Sequence, residues 1–274
     1  MLRQLNEWDK PVLFDYLMRN EEEAAFLIGN AEHAGIMNIS GILRCGDYFG
    51  YFKDNTLKGV IAFYNMGNCF LHYEAFEAVP YFSQLMLMRR FSMLLGAEKI
   101  IRPLFDIIKY NKYIRGFEEC SYYVNYELVP FKLEGSEFID VPREDSIEAL
   151  SFVRDAYLLG FDAERTLEGT SLLLSQKGEE EEFILLRMDG RLVAQACIQA
   201  VTLNTNQIGA VYTLEEERGK GYGKAVVSEL CERIRARGKL PTLIVNKQNI
   251  PALSAYKALG FEERGDYIII RFYT

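Results

Sequence analysis

The chain has 274 residues, of which 49% are hydrophobic and 13% aromatic, and its formal net charge at pH 7 is −8. This length predicts one large or two ordinary domains, and the apolar content can fill packed cores, which argues against a disordered protein. The acidic balance argues against nucleic-acid binding and is compatible with a cationic amine substrate.

The cysteines and histidines indicate neither a disulfide framework nor a metal site. The five cysteines are scattered, form no CxxC pair and predict reduced thiols of a cytoplasmic protein. The two histidines, His33 and His72, are too far apart in sequence to suggest a metal centre. The sequence shows no secretory leader and no run of about 18 apolar residues, so we expect no membrane association.

The first half predicts a hairpin, a third strand, a helix, a short strand, a second helix and a closing strand. The hairpin turns at Asp54-Asn55-Thr56. The expected strands cover 47–53, 57–64, 68–76, 99–102 and 122–128, and the expected helices cover 81–95 and 104–114.

The second half predicts two helices, three strands, a helix, a strand, a helix and a final strand. Asp145 or Ser146 would cap the first helix, and Asp189-Gly190 would turn a hairpin. The expected helices are 146–157, 166–176, one from about 223 to 237 and one after Asn249; the expected strands are 183–188, 191–201, 207–213, 242–245 and 267–273.

A glycine-rich segment, Arg218-Gly219-Lys220-Gly221-Tyr222-Gly223-Lys224, lies between a predicted strand and a predicted helix. Backbone N–H groups and the helix dipole at such a turn can bind a phosphate or pyrophosphate. The segment is not a P-loop, because Ala225 stands where Ser or Thr would be needed. It is not a dinucleotide fingerprint, because the third glycine arrives one residue early.

A second motif, Asn249 to Phe261, follows the strand 242–245. Asn249 is a candidate N-cap, Pro251 lies in the first turn, and Gly260 predicts the helix end. The simplest alternative is a capped amphipathic helix in which Tyr256 is buried.

The two motifs, in this order and spacing, resemble the CoA-binding segments of the GNAT superfamily of acyl-CoA N-acyltransferases. The resemblance implies an α/β fold of two GNAT-like domains, each with a mixed, mostly antiparallel sheet flanked by helices. It implies acetyl-CoA as cofactor. The expected cofactor-binding residues are Val211, Tyr212, Thr213, Arg218, Gly219, Lys220, Gly221, Tyr222, Gly223, Lys224, Asn249 and Tyr256.

The first half repeats the element order of the second, so we expect a degenerate domain at 1–130 and a catalytic domain at 131–274. Gly116-Phe117-Glu118-Glu119 matches the sequence at Gly260, and this alignment sets Lys112 beside Tyr256. Where the second half has its glycine loop, the first has Glu74 to Pro80, whose carboxylates would repel a pyrophosphate. The first domain is therefore expected not to bind CoA.

The implied reaction is acetyl transfer to a primary amine of a small molecule or peptide. A backbone N–H of Val211 or Tyr212 would stabilise the oxyanion, and Tyr256 would protonate the leaving thiolate. No general base is identified, because glutamines 195, 199 and 207 occupy the central strands.

Alternatives are a non-catalytic acyl-CoA sensor and a transferase that uses charged tRNA. The acidic charge and the CoA-type loop disfavour the tRNA-dependent enzyme. A monomer and a homodimer are both compatible with the sequence.

Overall fold

The computed structural model describes residues 1–141 and 146–273. The chain forms two compact units, one made of Met1–Ser121 and the residues from Gly265 onward, the other of Tyr122–Arg264. The predicted division into 1–130 and 131–274 assigns the last strand to the second domain, whereas the structure groups it with the first unit.

The first unit contains five strands, β1 to β5, and four helices, α1 to α4, and parts of two longer strands. The bounds are β1 Leu2–Gln4, α1 Lys10–Met18, α2 Glu21–Ala34, β2 Gly46–Lys53, β3 Thr56–Tyr64, β4 Asn68–Tyr73, α3 Ala78–Met88, β5 Met93–Ala97 and α4 Glu98–Ile108. The longer strands are β6 Ile114–Asn125 and β12 Phe261–Phe272, and the boundary between the units falls inside each.

The sheet of the first unit runs β1-β2-β3-β4-β5-β12. Its neighbours are antiparallel except for β4 and β5, which are parallel. Asp54 and Asn55 both have positive φ, +50° and +59°, as a two-residue hairpin turn requires, so the predicted hairpin is confirmed.

The predicted strand 99–102 and helix 104–114 are wrong, because α4 begins at Glu98 and continues through Pro103. The predicted boundary falls at Pro103, although the apolar residues on both sides of it share one helical spacing. Those residues are Ile100, Ile101, Leu104, Phe105 and Ile108, and all are buried.

The proposed match between Lys112 and Tyr256 also fails. Lys112 lies in the turn after α4, and Gly116 lies inside strand β6, whereas Tyr256 belongs to a helix and Gly260 follows that helix.

The second unit contains the strands β7 to β11, the helices α5 to α8 and the remaining parts of β6 and β12. The bounds are β7 Glu137–Asp140, α5 Ile147–Phe161, α6 Leu167–Ser175, β8 Phe183–Met188, β9 Arg191–Val201, β10 Thr205–Thr213, α7 Tyr222–Ala236, β11 Leu240–Asn246 and α8 Ile250–Ala258. The predicted hairpin β8–β9 is confirmed. Ser146 caps α5 through a hydrogen bond of 3.1 Å from the Ala149 N–H, and Asp145 lies outside the described residues.

The strands of the second unit are ordered β11-β10-β9-β8-β7. Two apolar clusters pack against this sheet. One cluster joins the sheet to α7 and α8, and the other joins it to α5 and α6. Neighbours from β7 to β10 are antiparallel, and β10 and β11 are parallel. Both units thus have the mixed, mostly antiparallel sheets that the sequence predicts.

The second half of the final strand belongs to the first unit because it pairs with β5 of that sheet. Residues 267–271 of β12 pair antiparallel with 93–97 of β5. Such a pairing joins segments about 170 residues apart, and no local pattern encodes it.

The five cysteines are buried and form no disulfide. Among the described residues, no helix combines the length and the apolar run needed to cross a membrane.

Candidate functional site

Strands β10 and β11 pair over the first part of their length only. Their parallel register runs from Thr205 opposite Leu240 to Ile208 opposite Leu243, and the described ladder ends there. The remaining residues, 209–213 and 244–246, lie beyond this ladder, and we call the stretch of the sheet between them the opening.

A bulge in β10 coincides with this opening. Gly209 pairs with Cys197 and Tyr212 with Gln195, so Ala210 and Val211 together face the single residue Ala196. Ala210 has φ +50°, a left-handed conformation that costs a non-glycine residue about 1–3 kcal/mol. The extra residue bends the strand locally, as β-bulges do.

Val211 and Tyr212 pack on opposite faces of the sheet. Val211 packs against the cluster beneath α7 and α8. The Tyr212 ring lies edge-on to Phe152 of α5, with centroids 6.4 Å apart, and burial raises the pKa of its phenol.

The glycine-rich loop has the conformation that its sequence requires. Gly219 and Gly221 have φ +81° and +86°, in the left-handed region that favours glycine, and Gly221 is the N-cap of α7. Gly223 lies in the first turn of the helix, where an added Cβ would come within 3.1 Å of the Thr213 hydroxyl oxygen. The free N–H groups of the first turn thus follow directly on these two glycines.

Some of the positive charges at the loop are neutralised and others are not. Lys220 forms an ion pair of 2.7 Å with Glu217. Arg218 instead donates from Nε to the Thr213 carbonyl at 3.4 Å. The Lys224 ammonium lies 3.5 Å from the centroid of the Phe131 ring. Neither Arg218 nor Lys224 has a carboxylate partner within the described residues, so both charges are available to an anion.

Helix α8 places the second motif. Asn249 is the N-cap, as predicted, and its Oδ1 accepts a hydrogen bond of 3.2 Å from the Ala252 N–H. Tyr256 is 7% exposed and its ring packs 5.9 Å from that of Phe261. Burial raises the pKa of the Tyr256 phenol well above its usual range, so the hydroxyl stays protonated and can donate a hydrogen bond.

The structure brings part of the predicted set together. Val211, Tyr222 and Tyr256 pack in or against one apolar cluster, on the α7 and α8 side of the sheet. Tyr212 packs on the other face. Asn249 is exposed and uses its carbonyl oxygen for the cap, which leaves its amide N–H₂ for a ligand.

Two features next to the site had no signal in the sequence. The Phe131 ring lies against Lys224 in the first turn of α7, and the Phe131 N–H donates to the Ser228 hydroxyl in the second turn at 2.8 Å. Gln195 donates from Nε2 to the Ala210 carbonyl at 3.2 Å. Both contacts join segments far apart in the chain, so periodicity and spacing could not reveal them.

The strands that border the opening carry no carboxylate. Strands β9 and β10 contain neither Asp nor Glu, and Gln195 and Gln207 are buried. Glu215 lies on the surface just before the loop. The described residues therefore identify no general base, and the sequence analysis had also left the base unassigned.

The equivalent loop of the first unit has the opposite charge. Strands β4 and β5 are also paired over a short register, but Glu74 and Glu77 follow β4 in place of glycines. Glu74 forms ion pairs with Arg19 at 2.8 Å and Lys58 at 2.9 Å. Glu77 likewise pairs with Lys53 at 2.6 Å. That this loop does not bind CoA stays a prediction.

Comparison with protein families gives a match to the FR47-like protein family over residues 188–269. This segment includes the bulge, the glycine-rich loop and α8. A search of curated protein sequences gives no significant match.

Solved structures resemble the chain over its whole length. A Drosophila protein has a TM-score of 0.73 at 13% identity, over 99% of this chain and 98% of that one. A GNAT-family acetyltransferase from Colwellia psychrerythraea has a TM-score of 0.57 at 14% identity, over 100% of both chains. A tandem GNAT protein of the clavulanic acid biosynthesis pathway has a TM-score of 0.60 at 10% identity, over 98% and 97% of the two chains. The predicted fold class and the resemblance to the GNAT superfamily are confirmed.

Proposed function

We propose that this chain, whose fold is that of the GNAT superfamily, transfers an acetyl group from acetyl-CoA to a primary amine. The observation that carries the proposal is the opening between β10 and β11, beside which lie the glycine-rich N-terminus of α7 and the buried phenol of Tyr256. An elongated thioester needs an anchor for its pyrophosphate, an entry between strands and a donor for its sulfur.

The cofactor would be held by the glycine loop. Backbone N–H groups of the first turn of α7 would bind the pyrophosphate, and Arg218 and Lys224 would add positive charge. The pantetheine arm would pass between β10 and β11, where the ends of the strands no longer pair with each other. The residues present fit this group, since two glycines remove the side chains that would block its approach.

Groups of the protein would stabilise the charge that develops on the thioester oxygen and on its sulfur. The Val211 N–H, held in the bulge, would donate to the developing oxyanion. Tyr256 would donate a hydrogen bond to the developing thiolate. Because its pKa lies well above that of a thiol, the phenol would stabilise the sulfur mainly as a donor, without giving up its proton completely.

The acceptor is expected to be a cationic amine in solution that reacts in its neutral form. Arg218 acts electrostatically on the Tyr212 phenol, and so do the carboxylates of Glu216, Glu215 and Asp155, so three carboxylates and one guanidinium lie on that side of the opening. Negative charge attracts an ammonium group. The lack of a carboxylate on β9 and β10 suggests that a water molecule or a surface carboxylate takes the proton.

The test combines binding and turnover. Titration calorimetry with acetyl-CoA measures the cofactor site, and a thiol-release assay over a panel of primary amines, with mass spectrometry of the product, measures transfer. Binding with amine-dependent release of CoA supports the proposal, and the absence of acetyl-CoA binding to folded protein contradicts it.

The second candidate is a non-catalytic acyl-CoA sensor. The observation in its favour is that uncharged Gln195 and Gln207 are buried on the central strands where a base would be useful. Tight acetyl-CoA binding without thiol release for any amine would establish this alternative.

A further inference from the structure

We propose that Gln195 is a positioning residue for the transfer, which holds the β10 bulge and thereby aims the Val211 N–H at the opening. The inference rests on the proposed function. Gln195 would not touch the substrate; it would act through the carbonyl group of Ala210.

The geometry links Gln195 to the bulge directly. Its Cα lies opposite Tyr212, the first residue to pair again after the bulge. Its side chain is fully buried, and its Nε2 donates to the Ala210 carbonyl at 3.2 Å. The hydrogen bond therefore falls on the residue whose φ is +50°.

The cost of this arrangement argues that it has a purpose beyond packing. The Gln195 Oε1 atom is buried and finds no donor among the described residues. A buried acceptor without a donor costs about 1–3 kcal/mol, and a leucine of similar size would avoid it. Ala210 adds its own backbone strain at the same place. Strain that persists at one point of a sheet is a reason to look for a function there.

The mechanism follows from the position of the bulge. Without the bond from Nε2, the Ala210 peptide can rotate, and the N–H of the next residue, Val211, turns with it. The glycine-rich loop is held separately by α7 and by the turn at 215–217. Loss of Gln195 should therefore impair the chemical step and leave the affinity for acetyl-CoA nearly intact.

The first test is Gln195→Leu, with Gln207→Leu as the matched control. Gln207 is buried as well but lies where β10 and β11 still pair, opposite Thr242. In Gln195→Leu we expect kcat to fall about tenfold to a hundredfold, as for a misplaced catalytic group, with the acetyl-CoA Kd within about threefold of the original. Gln207→Leu should change neither value by more than about twofold. A wild-type kcat in folded Gln195→Leu would overturn the proposal.

The second test is Gln195→Glu, which makes the effect depend on pH. A protonated carboxyl group can donate to the Ala210 carbonyl as the amide does, whereas the ionised form has no donor and repels the carbonyl oxygen. Burial favours the protonated form. We expect kcat, relative to wild type, to be near normal at low pH and to fall as the carboxyl group ionises. A ratio that does not change with pH contradicts the proposal.

A third measurement separates this inference from the proposed function. If the wild-type protein transfers no acetyl group, the proposed function is wrong, but the conformation of the bulge can still be measured. Amide chemical shifts and hydrogen exchange at residues 210–212 should change in Gln195→Leu and remain unchanged in Gln207→Leu. Unchanged amides in both variants would overturn the role of Gln195 whatever the activity.

Discussion

Replacement of Gly221 by alanine tests the glycine loop, and Gly238→Ala supplies a matched control at the other end of α7. Both glycines have left-handed φ, +86° and +76°. Alanine in that region costs about 1–2 kcal/mol, so the free energy of unfolding should fall by a similar amount in both variants. Valine at 221 would add the strain of a β-branched residue, so alanine is the cleaner change.

The two positions differ in their surroundings. An added Cβ at Gly221 would lie 3.1 Å from Cζ and 3.3 Å from Cε1 of Phe131, whereas at Gly238 it would meet nothing within 4 Å. Phe131 would have to move by a few tenths of an ångström, and the Lys224 ammonium rests on its ring. If instead the backbone relaxes, the N–H groups of the first turn change direction. Either response displaces the proposed pyrophosphate ligands.

Titration calorimetry and urea unfolding measure the two effects separately. We expect Gly221→Ala to weaken acetyl-CoA binding by more than tenfold, about 1.4 kcal/mol, and Gly238→Ala to leave it within about twofold. The loss of stability should be similar in the two proteins. Equal affinities in two equally destabilised variants would refute the placement of the pyrophosphate on this loop.

Three further predictions concern single groups. Tyr256→Phe should lower kcat by roughly tenfold to a thousandfold with little change in acetyl-CoA affinity, while the matched Tyr157→Phe keeps kcat; an unchanged kcat when chemistry is rate-limiting would remove the role of the phenol. Ala210→Gly should raise the free energy of unfolding by about 0–1 kcal/mol, because relief of the left-handed strain is partly offset by the greater conformational entropy of glycine in the unfolded chain. A clear decrease in the free energy of unfolding, measured in urea, would contradict strain at Ala210. The pKa of Glu23 is lowered to about 2, first through its hydrogen bond with His72 and then through Lys99, against the opposing effect of burial. The ionised Glu23 carboxylate therefore stabilises the folded protein fully above about pH 4.3, and this stabilisation is lost as the pH falls towards 2. Over that range, acid titration of Glu23→Gln should show a smaller decrease in the free energy of unfolding than wild type.

Local sequence patterns were enough to predict most of the short-range elements and the conformation of the glycine-rich loop. The hairpin of β8 and β9 follows from two apolar runs around Asp189-Gly190, and both residues have the positive φ of such a turn. The positions of Gly219 and Gly221 between a strand and a helix indicated the N-terminus of α7. The Asn249 cap could be recognised because N-caps are local, with the donor at Ala252 three residues away.

The pairing of distant segments could not be predicted from local patterns. The last strand pairs with β5, so its second half belongs to the first unit. The boundary predicted from chain order had assigned it to the second. The bulge at Ala210 and the bond from Gln195 depend on the register of β9 against β10, and one residue of register has no signature in the composition of either strand. Local propensity sets where the chain turns and where helices begin and end. Burial and long-range pairing select the neighbours of each strand, because most of the free energy of folding comes from burying apolar surface between distant segments.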